Sequence, residues 1–194
     1  MKLAIFFPGI GYTNDKPIMY YCRKIVRSMG YDELCVEYRD LPKKVLGSKE
    51  RLLESANLSF EQAKQQLSEC DFAQYDEILL VGKSIGTCLA AKIAKEVILP
   101  KIPDKVLMKM KLIFYTPLEE TFSYYDGNGA GNAIAFIGDK DPWSVLDEVK
   151  RLAADNFVPL HLYPDCNHSL ETDDALRNIE ILGEVLRLTQ EFLS

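Results

Sequence analysis

The ten residues from Glu77 to Gly86 read Glu-Ile-Leu-Leu-Val-Gly-Lys-Ser-Ile-Gly, and they limit the fold more than any other stretch of the chain. Ile78 to Val81 is an unbroken apolar run, too short for a helix and suited to a strand covered on both faces, so it predicts a central strand. It leads straight into Gly82-Lys83-Ser84-Ile85-Gly86, which fits G-x-S-x-G, and then into Thr87 to Ala94, which has helical composition and spacing. A serine hydroxyl is a weak nucleophile and must project where a base and a substrate carbonyl both reach it. A sharp strand-to-helix turn achieves this, with glycine two residues before and two after the serine because strand and helix nearly touch there. The plain alternative is an ordinary Gly-rich connection. A third reading takes Gly82-Lys83-Ser84 as the end of a P-loop, which would make the chain a nucleotide binder. Glu77 stands where that motif needs its first glycine, and the four residues between are an apolar strand instead of a loop with free N–H groups, which argues against it.

Around this strand, apolar runs alternate with amphipathic segments. Leu3 to Phe7 reads as a strand that breaks at Pro8-Gly9-Ile10-Gly11, and Pro17 to Met29 as a helix with Ile18, Cys22, Ile25, Val26 and Met29 inward. Leu34 to Tyr38 is shorter and more polar, as an outer strand would be. Arg39 to Leu58 is weakly patterned and reads as a loop with one helical turn, after which Ser59 and Gln62 form a capping box that opens a helix. Pro100 and Pro103 mark a loop before the fourth strand, Lys111 to Thr116, and Ala133 to Ile137 is the fifth strand. A helix over Ser144 to Asn156 precedes the sixth strand, Val158 to Tyr163. Asp174 to Leu193 is a closing helix whose apolar face includes Leu176, Ile179, Leu182, Leu186 and Phe192. This alternation predicts an α/β three-layer sandwich, one domain over residues 1–194, with a mostly parallel sheet of about six strands and a ligand site at the strands' carboxyl ends. The loops at that edge carry Gly9-Ile10-Gly11, Ser84, Asp141 and His168.

Charge and cysteine usage exclude several classes. A net charge of -6 and a pI near 5.1 give no footprint for nucleic acid or an anionic membrane. The apolar start, Leu3 to Phe7, is too short for a signal-peptide core or a membrane span. Five cysteines without a C-x-x-C pair suit a reducing compartment, so a cytoplasmic location is expected. With two histidines and no His/Cys cluster, neither a metal site nor a cofactor is expected. The sequence leaves the oligomeric state open.

A serine nucleophile needs a base, an orienting acid and an oxyanion site. His168 lies in Pro164-Asp165-Cys166-Asn167-His168-Ser169-Leu170, a loop of turn formers beyond the last strand, and is the better base. His161 sits inside the strand, where a packed histidine is the simpler reading. Gly138-Asp139-Lys140-Asp141-Pro142 leaves the fifth strand and supplies the acid. Asp141 is preferred, although Asp141-Pro142 also resembles an N-cap followed by proline. Asp139, Glu119 and Glu120 are alternatives.

These elements together resemble the α/β-hydrolase superfamily. The match rests on the G-x-S-x-G elbow at Ser84, the G-x-x-D loop from Gly138 to Asp141, the short loop at His168, and the order Ser, acid, His. The usual first two strands are missing, so the resemblance is to the compact, lidless esterase and dienelactone-hydrolase-like branch. It implies a serine hydrolase that cleaves a small ester or thioester through a Ser84-His168-Asp141 triad. It also places the oxyanion hole at the backbone N–H groups of Ile10 and Ile85, with Pro8 where the family commonly has His. Pro117 to Gly131, 15 residues, is too short for a cap domain. Its Phe122, Tyr124 and Tyr125 either line an apolar acyl pocket or simply pack on the loop. A binding or signalling protein that keeps the cleft without turnover is the other class of function.

Overall fold

The computed structural model describes residues 1–42, 48–103, 106, 109–125 and 132–194. Six strands form one sheet: β1 (Lys2–Phe7), β2 (Tyr31–Cys35), β3 (Glu77–Lys83), β4 (Met110–Tyr115), β5 (Ala133–Gly138) and β6 (Leu160–Tyr163). Their spatial order is β2-β1-β3-β4-β5-β6, and every neighbouring pair is parallel. The apolar run of β3 is therefore internal, hydrogen-bonded to β1 on one side and β4 on the other. Among the described residues, helices α1 (Pro17–Ser28), α2 (Lys49–Gln66), α3 (Ile85–Ile93), the single turn α4 (Thr121–Tyr124), α5 (Leu146–Asp155) and α6 (Ala175–Leu193) accompany the sheet.

Side chains alternate across the strands and divide the core in two. Leu3, Ile5 and Phe7 of β1 join Phe60 and Ala63 of α2, Leu89 and Ile93 of α3, and Val149 and Ala153 of α5. Ala4 and Phe6 point the other way, to Ile18, Cys22 and Val26 of α1 and Ile181 and Val185 of α6. The chain leaves β1 toward β2 and returns to β3 on the far side, so the loops after β1 and β3 diverge. In sheets of this kind the carboxyl ends at such a reversal of strand order are where ligands bind.

Three expectations are corrected. The edge strand is Tyr31–Cys35 and not Leu34 to Tyr38, because pairing with β1 sets the register from Lys2 opposite Tyr31 to Phe6 opposite Cys35. Val36 N–H still donates to the Phe6 carbonyl oxygen of β1 at 2.9 Å, and beyond it Glu37 and Arg39 are held by α2. Gln66 bonds the backbone N–H and C=O of Glu37 at 3.0 and 2.7 Å, and Gln62 does the same for Arg39 at 2.8 and 2.9 Å. Gln62 is thus a clamp and not part of a capping box. The second correction follows: α2 begins at Lys49, with Ser48 Oγ accepting from Arg51 N at 3.3 Å, and Ser59 is buried in mid-helix. Of the stretch read as a loop, 43–47 lies outside the described residues.

The third concerns α6. Its buried stripe is Ile181, Val185, Thr189 and Leu193, spaced by four, with Leu182, Leu186 and Phe192 only partly covered. Thr189 belongs there because its hydroxyl pairs with the Tyr115 hydroxyl at 2.7 Å inside the core. Leu176 and Ile179 are 74% and 65% exposed, and Ile179 helps line a cleft of about 140 Å³ with Tyr12, Ile18 and Leu170. Among the described residues, no helix is long and apolar enough to cross a membrane.

Candidate active site

Ser84 sits between the last residue of β3 and the first of α3, with φ 57° and ψ -127°. A side chain rarely adopts this conformation, and here it is imposed by close approach on both sides. A Cβ on Gly86 would lie 2.0 Å from the Phe7 carbonyl oxygen, and one on Gly82 would lie 2.5 Å from the Gly86 oxygen. Only glycine lets α3 start so near to β1 and β3, and the serine is lifted out at the bend. Gly9 is close as well, since a Cβ there would meet the Ser84 Cβ at 3.1 Å. The loop after β1 therefore lies directly against the serine. Within it Gly9 and Tyr12 exchange backbone hydrogen bonds of 3.0 and 3.3 Å, and Gly11 at φ 80° suits the third position of a type II turn with Ile10 before it. Ile85 is the first residue of α3 and carries one of the N–H groups that a helix leaves without an internal acceptor.

The expected polar groups meet here. His168 Nε2 is 2.7 Å from Ser84 Oγ, and His168 Nδ1 is 2.7 Å from Asp141 Oδ2. Asp141 is buried, and its other oxygen accepts from the Trp143 N–H at 2.9 Å, so the carboxylate orients the imidazole and pins its own loop as well. The alternatives point elsewhere. Asp139 accepts from Asp165 N at 2.7 Å, Glu119 accepts from Val145 N, and Glu120 stands at the start of α4. His161 is stacked on Phe136, with ring centres 5.2 Å apart.

Burial lowers the His168 pKa below the ordinary histidine range. The hydrogen bond that His168 Nδ1–H donates to Asp141 works against this, and the charge of Lys83 adds to it. A depressed pKa keeps the imidazole neutral, and so able to accept a proton, to lower pH. If His168 is a base, the acid limb of kcat/KM is expected below the usual histidine value of ~6.5. A pH profile from ~4.5 to ~8 checks this, and a limb clearly above ~6.5 would contradict it.

Phe122, Tyr124 and Tyr125 occupy a different environment. Phe122 is buried with its ring edge toward Phe114 at 6.4 Å, Tyr125 meets the same ring at 5.7 Å, and Tyr124 packs on that core cluster beside Lys92. Of the alternatives for these aromatics, packing describes what they touch. The rest of that insertion, 126–131, lies outside the described residues. Ile85 and Cys88 of α3 form a small separate apolar cluster with Leu118, and Trp143, Leu52 and Ala56 pack against it. The Trp143 ring lies 5.6 Å from the His168 ring at 34°. Sequence reasoning passed over Trp143, although the chain's one tryptophan two residues after the chosen acid was a usable signal.

It also left Lys83 without a role. Its side chain is 1% exposed and turns inward, so it cannot serve as the phosphate-binding lysine of a P-loop, and the residues before it are paired strand. Among the described residues, no group of His, Cys, Asp or Glu side chains could hold a metal ion.

No protein-family model matches the chain, and no curated protein matches it in sequence. Solved structures do match in shape. An α/β serine hydrolase homologue from Coxiella burnetii superposes with a TM-score of 0.65 at 19% identity, over 97% of this chain and 84% of that one. A serine hydrolase without a lid from Xanthomonas campestris gives 0.60 at 16% identity, covering 99% and 82%. An esterase from Pyrococcus furiosus gives 0.64 at 16% identity, also covering 99% and 82%. With strand order, elbow and overall superposition in agreement, the chain has the α/β-hydrolase fold in a compact six-stranded form.

Proposed function

We propose that the protein is a serine hydrolase acting on a small carboxylic ester or thioester. The observation that carries the reading is the continuous hydrogen-bonded chain from Ser84 Oγ through His168 to Asp141, both links at 2.7 Å, at the carboxyl edge of the sheet. In this reading Ser84 attacks the carbonyl carbon while His168 Nε2 takes its proton. Asp141 holds Nδ1–H in place and stabilises the imidazolium. The oxyanion is received by the backbone N–H groups of Ile10, in the turn after β1, and Ile85, at the start of α3. Collapse of the tetrahedral species returns the proton to the leaving group and leaves an acyl group on Ser84, which water removes by the same steps in reverse roles. The likeness to an esterase and to a lidless serine hydrolase supports the same class. Low aqueous exposure at Asp141 favours the mechanism too, because a buried carboxylate interacts more strongly with a developing imidazolium than a solvated one.

The acyl group would rest on Ile85, Leu118 and Trp143, a small apolar surface beside a partly exposed ring. Full burial of each methylene contributes about 0.8 kcal/mol, which in a deep pocket makes kcat/KM climb roughly fourfold per carbon. A shallow surface cannot do that beyond the first few carbons. Hydrolysis of p-nitrophenyl esters of increasing chain length, with Ser84→Ala as control, is therefore expected to plateau or decline after short acyl groups. A steady several-fold rise through long chains, or a jump on micelles, would refute the short-chain assignment. Hydrolysis undiminished in Ser84→Ala would refute the mechanism.

A further inference from the structure

Lys83 joins four segments of the site. Its Nζ donates to Thr116 Oγ1 at 2.6 Å, just beyond β4, and to the backbone carbonyl oxygen of His168 at 2.8 Å. It also lies 4.7 Å from the centre of the Tyr12 ring, in the loop after β1. The lysine itself ends β3, next to Ser84. An ammonium is a costly way to fill a core position, since its burial is disfavoured unless hydrogen bonds and opposite charge compensate. An apolar side chain would pack here without that cost, which makes the specific contacts the feature to explain.

We propose that Lys83 is a positioning residue for the proton-accepting histidine: its Nζ anchors the His168 backbone so that the ring reaches Ser84, and it sets a buried cation beside the same loop. The inference rests on the hydrolase reading only for its kinetic consequence.

The charges around the pair are few. Asp141 faces both His168 and Lys83, and Glu171 in the loop after His168 acts on Lys83. Tyr12 stays a neutral phenol, because burial pushes its pKa up to about 12. Burial pulls Lys83 down to about 7, with Asp141 and Glu171 opposing. Below that pH, where His168 would titrate, the ammonium is present and repels a second positive charge. Above it the amine still donates to His168 O, and the Thr116 hydroxyl can turn to donate to the nitrogen lone pair. The anchor survives deprotonation and only the charge is lost.

The test is an NMR titration of the two histidine rings in the wild type and in Lys83→Met. The His168 midpoint is expected to move to higher pH in the variant, while that of His161, stacked on Phe136 near Glu184, stays in place. An unmoved or lowered His168 midpoint in folded Lys83→Met would overturn the proposal. Should that variant not fold, Lys83→Gln keeps a donor for His168 O without the charge and must show the same upward move. None of these readouts needs turnover, so their failure is distinct from failure of the hydrolase reading. In the kinetic arm, Lys83→Met is expected to lower kcat roughly tenfold or more with KM within about twofold, and to shift the acid limb of kcat/KM upward. A kcat loss with no shift of the limb would reduce Lys83 to a structural residue.

Discussion

Replacing Ser84 by alanine is expected to lower ester turnover by roughly 10³-fold or more, about 4 kcal/mol of transition-state stabilisation, without unfolding the protein. The substitution removes one oxygen that touches His168 Nε2 at 2.7 Å and leaves the glycines that shape the turn unchanged. His168→Ala should cost a similar factor, and the double variant little more than either, because a nucleophile without its base and a base without its nucleophile are equally idle. Asp141→Asn should cost between roughly 10² and 10⁴, since an amide at Oδ2 favours the wrong imidazole tautomer. Asp139→Asn should be near neutral, because that side chain bonds only the turn at Asp165 among the contacts described. Purified variants with matched melting curves, assayed on one short ester, give the ranking. Full activity in Ser84→Ala would remove the mechanism, and a larger loss in Asp139→Asn than in Asp141→Asn would move the acid to Asp139.

Gly86→Ala is expected to be among the most damaging single changes to stability. Its Cβ would stand 2.0 Å from the Phe7 carbonyl oxygen and 2.7 Å from that of Pro8, both backbone atoms that no rotamer change can move. Either α3 shifts away from the sheet or the end of β1 is displaced, and that end is paired with Gly82 in β3 and carries the loop against Ser84. Overpacking of this severity costs about 3 kcal/mol or more, or a fall in melting midpoint of roughly 10 °C for a chain of this size. Activity should fall with it, because the same movement displaces the oxyanion turn. Gly183→Ala supplies the contrast. This exposed position in α6 has nothing within 4 Å of a new Cβ, so alanine should stabilise by about 0.4–1 kcal/mol through helix propensity and lost freedom in the unfolded chain. Equal midpoints for the two variants, measured by calorimetry, would show that the elbow tolerates a side chain after all.

The legible parts of the sequence were those where one physical demand dominates. The run Ile78 to Val81 announced an internal parallel strand because no other element buries four consecutive apolar residues so economically in length, and Gly82 and Gly86 announced the turn because only glycine survives contacts of 2.0 to 2.5 Å. His168 and Asp141 were readable because loops at the strand ends must converge. Tertiary choices were not readable. The end of β2 depends on which partner claims the backbone of Glu37 and Arg39, and two glutamines from α2 claim it. The buried face of α6 includes Thr189 through a hydroxyl partner far away in sequence, while Leu176 and Ile179, more apolar, face outward. Lys83 had no legible role beyond the P-loop reading that Glu77 argued against, because burial of an ammonium against Thr116, Tyr12 and a histidine carbonyl leaves no trace in composition or period.

The proposed hydrolysis depends above all on Ser84 being a nucleophile activated by His168. The most direct measurement of this is peptide-mapped mass spectrometry after incubation with a fluorophosphonate, which forms a stable bond to an activated serine and stays silent toward an ordinary one. A single adduct is expected on the peptide containing Ser84, absent from Ser84→Ala and formed far more slowly in His168→Ala. A folded wild-type protein that takes up no label, or one labelled equally when Ser84 is alanine, would contradict it and favour a binding protein that keeps the fold without the chemistry.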